Sequence, residues 1–350
     1  MMKKNSILLY GANGYTGELI ARYSKNYNLS LLLGGRSKEK IEPLATRLNL
    51  PYIIIDLNDK ESLIKTLEEV TVIINAAGPF QYTARQIIDA CLLTSTHYID
   101  INGDISVFEM IKKYDEAAKR AGIMLLPGAG FDVVPTDCIA LELKKKLPEA
   151  VSLKLAFATL GGGLSHGTAT TMVQKLGEGG AVRKNGKIVK EALGKKGMVV
   201  DFGIKKLFVM SIPWGDISTA YFTTGIPDIE SYTSMNKRVY FFLKFQSLFN
   251  WLLRTGYVRR LIQRKIEKRA AGPSDEQRSK SRSLVWGEVV DAKGNKINSC
   301  ITTPDGYTLS TFSCLLIAQK IINGNYKTGY QTPASAYSEK LVYEIPGVQW

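Results

Sequence analysis

The stretch Ile7-Leu8-Leu9-Tyr10-Gly11-Ala12-Asn13-Gly14-Tyr15-Thr16-Gly17 decides the fold class. Four apolar residues in an unbroken run read as a strand buried on both faces, the kind found inside parallel sheets. Three spaced glycines follow at once, and a helix-like segment follows them. In that strand–turn–helix order each glycine has its own task. Gly11 permits a tight turn, Gly14 lets backbone N–H groups approach a pyrophosphate, and Gly17 lets the helix pack close to the strand. Asn13, Tyr15 and Thr16 sit in the same loop and join the candidate cofactor contacts.

Outward from this loop the pattern repeats. Short apolar runs recur at Leu31–Leu33, Tyr52–Ile55, Val72–Asn75, His97–Ile101 and Ile123–Leu126, with segments long enough for crossover helices between them. Ser37, Asp59 and Thr83 precede three of those segments and read as helix caps. Six strands in βαβ alternation predict an α/β fold with a doubly wound parallel sheet that binds a nucleotide. After Pro127 the texture changes. Val151–Thr159 reads as a strand, and Asn185-Gly186 and Lys293-Gly294-Asn295 read as hairpin turns. A second, largely antiparallel α+β domain is expected, with Ala270–Ser283 as a polar loop and Leu309–Ile322 as a helix ending at Asn323-Gly324.

The adenosine end of the predicted site is read from the second strand, which ends Leu33-Gly34-Gly35-Arg36-Ser37. An acid about 20 residues beyond the glycine loop would hold the ribose hydroxyls of NAD. Arg36 and Ser37 stand there instead, and no acid occupies the turn. A guanidinium pairs with a 2′-phosphate and stacks on adenine, so NADP(H) is the expected cofactor. Asp56, ending the third strand, is a candidate acceptor for the adenine amino group. Asn75, Ala76, Ala77 and Gly78 end the fourth strand, where small residues let the inner phosphates and ribose lie close.

The chain has 350 residues, 45% of them hydrophobic and 22% charged, which excludes wholesale disorder. Four widely spaced cysteines and two histidines argue against a structural metal or a disulfide scaffold, so free thiols, no metal and a cytoplasmic location are expected. The net charge of +14 is uneven. Residues 1–150 are balanced, whereas 183–206 carry eight basic and two acidic side chains, and 237–282 carry thirteen and three. No zinc-finger, RRM or KH signature accompanies this charge, so nucleic acid is not expected as a partner.

Together these segments resemble the saccharopine dehydrogenase-like oxidoreductases, including the trans-acting enoyl reductases. The matching motifs are YGANGYTG (10–17), GGRS (34–37), NAAGPF (75–80), HYIDINGD (97–104), GFDVVPTD (130–137), AAGPSDEQRSKSRSLVWGEV (270–289), TPDGYTLS (303–310), GYQTPASAY (329–337) and EIPGV (344–348). The resemblance implies an NADP-binding Rossmann domain, 1–130, and an α+β substrate or dimerisation domain, 131–307. It further implies a C-terminal helix and tail, 308–350, that packs back on the first domain. It leaves the reaction open between reduction of an enoyl or acyl chain, action on a saccharopine-type imine, and a non-catalytic NADP-binding scaffold at a lipid surface.

Asp100 and Asp104, at and just after the fifth strand, are the acid–base candidates, because strand carboxyl ends line the ligand crevice of such sheets. Helix capping or loop hydrogen bonding is the competing role. His166, in the loop GGGLSHGT, is the third candidate, against an ordinary surface or core histidine. Val239–Leu253 is strongly apolar and aromatic but too short to span a bilayer. Flanked by basic residues, 239–265 is a candidate for the interface of an anionic membrane, which would make the protein peripherally membrane-associated. A buried helix and a homodimer contact are the alternatives.

Overall fold

The computed structural model describes residues 6–244, 249–253 and 255–350. The chain divides into two compact units, one running to Val134 and including Tyr307–Ala336, the other comprising Pro135–Gly306 and Tyr337–Trp350.

The first unit alternates strand and helix: β1 Ser6–Tyr10, α1 Tyr15–Tyr23, β2 Ser30–Gly35, α2 Lys38–Leu48, β3 Tyr52–Ile54 and α3 Lys60–Glu68. It continues with β4 Val72–Asn75, α4 Phe80–Thr94, β5 His97–Asp100, α5 Ile105–Lys112, α6 Asp115–Ala121 and β6 Met124–Leu126. The strands lie in the order β6-β5-β4-β1-β2-β3, every pair parallel. A seventh strand, Gly329–Tyr330, pairs in parallel beside β6. Two residues carry no periodicity, so nothing in the sequence announces it. Ile7, Leu8 and Leu9 are wholly buried, as are Ile73 and Ile74 on β4, because helices cover both faces of a sheet built by right-handed crossovers. The order reverses between β1 and β4, and there the sheet opens a crevice at its carboxyl edge.

The caps differ in part from expectation. Asp59 caps α3 through Ser62 N–H. Thr83 instead lies inside α4, which starts at Phe80 because Pro79 is already set for a helix start.

The carboxyl ends of β4, β5 and β6 are tied by a buried polar network. The carboxylate of Asp100 has no exposure. It accepts from Tyr98 Oη at 2.7 Å, from Asn102 N at 3.0 Å and Nδ2 at 2.8 Å, and from Gly128 N at 2.8 Å. Burial pushes this carboxyl up, while the four hydrogen bonds pull it down. The Tyr98 phenol is pushed well up, by burial first and then by Asp100, which keeps it a proton donor.

The second unit holds α7 Val134–Lys146, β7 Ala150–Leu160, α8 His166–Gln174, β8 Gly180–Lys184, β9 Lys187–Glu191, β10 Gly197–Asp201, β11 Lys206–Ile212 and α9 Asp216–Thr224. Then come β12 Asp228–Ser234, α10 Lys237–Lys244, α11 Asn250–Leu253, α12 Gly256–Glu267, α13 Asp275–Lys280, β13 Arg282–Asp291 and β14 Lys296–Pro304. The main sheet runs β10-β11-β12-β7-β13-β14, antiparallel except for β12 beside β7, with β8 and β9 branching from β12. It curls strongly: a Cβ placed on Gly203, just after β10, would stand 3.3 Å from Cys300 Sγ on β14. Ala156, Ala158, Phe202, Tyr232, Leu284 and Trp286 fill the apolar core of that sheet.

Two expectations change here. Ala270–Ser283 is not merely a loop. Ser274 and Gln277 form a reciprocal capping box that nucleates α13, and β13 starts at Arg282. Of the C-terminal segment, Tyr307–Ala336 belong to the first unit and Tyr337–Trp350 to the second. Gln349 and Thr302 exchange two backbone hydrogen bonds of 2.8 Å, and Tyr343 Oη donates to Glu142 on α7. The reading of 239–253 as one continuous apolar helix falls partly outside the described residues, which exclude 245–248 and 254 and the side chains of Phe242, Lys244 and Leu252. No helix among the described residues is long and apolar enough to cross a membrane.

The network at the strand ends predicts a graded stability loss. Asp100→Ala leaves several buried donors unpaired and is expected to cost roughly 3 kcal/mol or more. Asp104→Ala removes a helix cap and is expected to cost about 1 kcal/mol. Urea unfolding of both variants against the parent checks the ranking. Equal losses would show that Asp100 does not bind the strand ends together.

Candidate functional site

The glycine loop is shaped by backbone crowding. Gly11 has φ +84°, and a Cβ there would stand 2.7 Å from Ala77 N, so β1 and β4 meet backbone to backbone. A Cβ on Gly17 would come within 2.3 Å of the Gly11 carbonyl, so α1 is pressed against the turn it leaves. The Gly11 and Ala12 amides both donate to Gly34 O, at 2.9 and 3.2 Å, which anchors the turn to β2. Gly14 differs from the other two. Its φ is −74°, an added Cβ would meet Gly11 O at 3.2 Å and Ala76 O at 3.9 Å, and it sits at the N-cap of α1 without a capping side chain. The first-turn N–H groups therefore have no side-chain cap and form the positive end of the helix, the arrangement that receives a phosphate. Asn13 is exposed, Thr16 is half-buried, and the Tyr15 ring packs edge-on against Tyr307, centroids 4.9 Å apart.

At the end of β2, Arg36 is exposed and forms no hydrogen bond or ion pair with another described residue. Arg36 and Asp56 both act electrostatically on the buried Tyr10 hydroxyl, whose pKa is raised by burial first, lowered by Arg36 and raised by Asp56. They therefore flank one spot at the ends of β1, β2 and β3. Asp56 folds its own turn, accepting from Asn58 N at 2.9 Å and Nδ2 at 3.0 Å. Ser37 departs from expectation: its hydroxyl donates to Glu39 at 2.7 Å, so an acid reaches the turn from the first turn of α2. A cavity of about 390 Å³ beside the loop is lined by Asn13, Glu18, Lys40, Pro43, Leu44 and Arg47. Lys40 thus brings a second cation to the Asn13 side of the loop.

Asn75, wholly buried, governs the loop after β4. Its Oδ1 accepts from Ala77 N at 3.1 Å, and its Nδ2 donates to Thr83 Oγ1 and Tyr98 Oη, both at 3.2 Å. Thr83 in turn donates to Ala77 O at 2.9 Å. This holds Ala76, Ala77 and Gly78 in one open shape with no side chain larger than a methyl over the crevice. The parts required for a dinucleotide are therefore present and fit it: a cradle that a Cβ would fill, a helix end lacking a side-chain cap, and an uncommitted guanidinium.

The three acid–base candidates have structural tasks. Asp100 holds the network described above. Asp104 is the N-cap of α5, accepting from Ser106 N and Oγ, both at 2.8 Å. His166 opens α8 in the second unit, and its Nε2 lies 2.9 Å from Arg269 O, a carbonyl that can only accept. Sequence reasoning missed Tyr307, Lys40 and Glu39. Tyr307 lies almost 300 residues from the loop it touches. Lys40 and Glu39 are ordinary solvated residues by composition, and only the fold brings them to the crevice.

Residues 7–126 match the family described as the saccharopine dehydrogenase NADP-binding domain. A Caenorhabditis elegans protein named "Lipid droplet localized protein" is 24% identical over 98% of this chain and 96% of its own. The "Trans-acting enoyl reductase" of Mycobacterium ulcerans is 27% identical over 44% of this chain and 39% of its own length. Apo saccharopine dehydrogenase (L-Glu forming) from Saccharomyces cerevisiae shares the fold with a TM-score of 0.68 at 13% identity, over 97% of this chain and 96% of that one. The glycine cradle and the parallel sheet agree with that match: residues 7–126 are similar to the saccharopine dehydrogenase NADP-binding domain, and the chain is similar to proteins named saccharopine dehydrogenase-like oxidoreductase and trans-acting enoyl reductase.

Proposed function

We propose that the protein uses NADPH to reduce a lipid-like substrate, an enoyl or other acyl chain. NADPH, when bound, supplies the hydride; the chain's own residues bind and orient it. In this reading the Gly11–Gly17 loop and the first turn of α1 hold the pyrophosphate, Arg36 holds the 2′-phosphate, and Asp56 accepts from the adenine. Asn75 keeps the Ala76–Gly78 loop clear of side chains. Asp100 is a positioning residue, since its hydrogen bonds fix the ends of the strands beside the crevice.

The observation that carries the cofactor choice is the exposed, uncommitted Arg36. The acyl reading is supported by the relatives whose names concern lipid droplets and enoyl reduction. The decisive experiment is NADPH oxidation followed by absorbance with enoyl thioesters of increasing chain length and, separately, with amino-acid-derived imines. Turnover that rises with acyl length supports the proposal. Turnover of imines alone, or tight NADPH binding without turnover of either class, overturns it.

Two substitutions test the cofactor placement. Gly14→Val puts a branched side chain where the pyrophosphate is to lie, at a backbone geometry valine tolerates. NADPH affinity is expected to fall by at least about tenfold, a loss of roughly 1.4 kcal/mol, with only a small change in melting temperature. Unchanged affinity in the folded variant would remove the pyrophosphate from this loop. Arg36→Ala removes a charge-assisted contact of roughly 1.5–3 kcal/mol, about 10- to 100-fold in affinity. NADPH should bind the parent more tightly than NADH, and the variant should lose most of that preference while NADH binding stays nearly constant. Calorimetric titration of both nucleotides into both proteins measures this. Equal parental affinities would make Arg36 a plain surface arginine.

A further inference from the structure

In the second unit, α12 packs one face against α8: Ile266 is buried, Val258 and Ile262 are half-buried, and Gln263 donates to Thr170 on α8 at 3.1 Å. The opposite face consists of Tyr257, Arg260, Leu261, Arg264, Lys265 and Lys268. Their spacing of three and four places them in one stripe, and every one of them is exposed. An ordinary solvated stripe mixes both charge signs and keeps apolar groups inward. This one carries four cations and no acid, and it exposes Tyr257 at 67% and Leu261 at 42%. None of the four cations forms an ion pair with a described residue. The only acid of α12, Glu267, borders the stripe three residues beyond Arg264 and accepts from Gln263. Just upstream, on α11, Trp251 is 73% exposed.

We infer that the outer face of α12, with Trp251, docks this protein on an anionic phospholipid surface. Cations interleaved with exposed aromatic and aliphatic side chains match both layers of such a surface: phosphate and carboxylate headgroups outside, acyl carbon just beneath. Duplex nucleic acid, which presents phosphate outward and keeps its bases stacked inside, would leave Trp251, Tyr257 and Leu261 without a counterpart. An apolar protein groove would leave four cations unmatched. The inference rests on the second unit and not on the acyl-substrate reading. Vesicle retention is measured without turnover, so either can fail alone.

The test is flotation of the full chain with phosphatidylcholine vesicles, with and without phosphatidylserine, at low and raised salt. Retention on the serine-containing vesicles at low salt, release by salt and weak retention on pure phosphatidylcholine are expected. Arg264→Gln with Lys265→Gln should weaken retention roughly 30-fold, at about 1 kcal/mol per cation. Trp251→Ser with Tyr257→Ser should weaken it on the order of tenfold. An unchanged circular dichroism spectrum and melting temperature in both variants shows that they are folded. No retention on anionic vesicles, or equal retention on both kinds, overturns the inference. So does full retention by the Trp251/Tyr257 variant, which would make the stripe a simple polyanion surface. A concentration-dependent dimer that this variant abolishes, without vesicle binding, would assign the face to a second copy and likewise overturn it.

Discussion

Backbone meets backbone where β1 gives way to α1, and the rest of the first unit is built around that contact. Gly11 lies against Ala77 and Gly17 against Gly11, at distances that exclude a Cβ at either glycine. Packing this close brings the turn after β1 beside the loop after β4, at the point where the strand order reverses. It also aims the open end of α1 across the crevice. A side chain at Gly11 would push the two strand ends apart, and the helix end would no longer face the loop that completes the cradle.

Such an open cradle needs rigid walls, and buried polar groups supply them. Asn75, Tyr98, Asp100 and Asn102 form one chain of hydrogen bonds below the crevice and reach Gly128 after β6. In a low-dielectric setting a network of this kind is strongly directional, since each group left unpaired there is costly. It fixes the floor while leaving the rim to small residues and to the exposed Arg36. The same sheet edge thus combines an inflexible base with a solvent-facing, cationic adenosine end, which suits a large polyanionic ligand held along its phosphates.

The second unit follows a different logic. Its curled sheet encloses an apolar core of its own, and this unit carries most of the net positive charge of the protein. Part of that charge is structural: Arg183 and Arg278 are buried, spending their donors on backbone carbonyls and, for Arg278, on Asp275. The remainder sits on the outside, and on α12 it is interleaved with exposed apolar groups. Net charge in the sequence does not separate these two populations, because burial and pairing are properties of the folded chain.

The parallel sheet was legible from residues 7–126, because strands buried on both faces must be continuous apolar runs and glycine spacing dictates a turn between strand and helix. The cradle residues Gly11, Gly14 and Gly17, the cation at position 36 and the small residues at 76–78 were legible for the same reason: each is required by local backbone geometry or by local charge. Ser37 read as a cap and occupies the N-cap position of α2, yet its hydroxyl donates to Glu39, a first-turn acid two residues away, instead of accepting from a helix N–H. Thr83 read as a cap and became a brace for Ala77, since Pro79 had already started the helix. The strand Gly329–Tyr330, the contact of Tyr307 with Tyr15, and the return of 337–350 to the second unit have no local signature. Each depends on a partner tens to hundreds of residues away. The sequence by itself determined which backbone shapes were allowed and where charge was concentrated. Only the tertiary structure decided which charges are buried and paired and which face outward, because that follows from long-range packing that no local window contains.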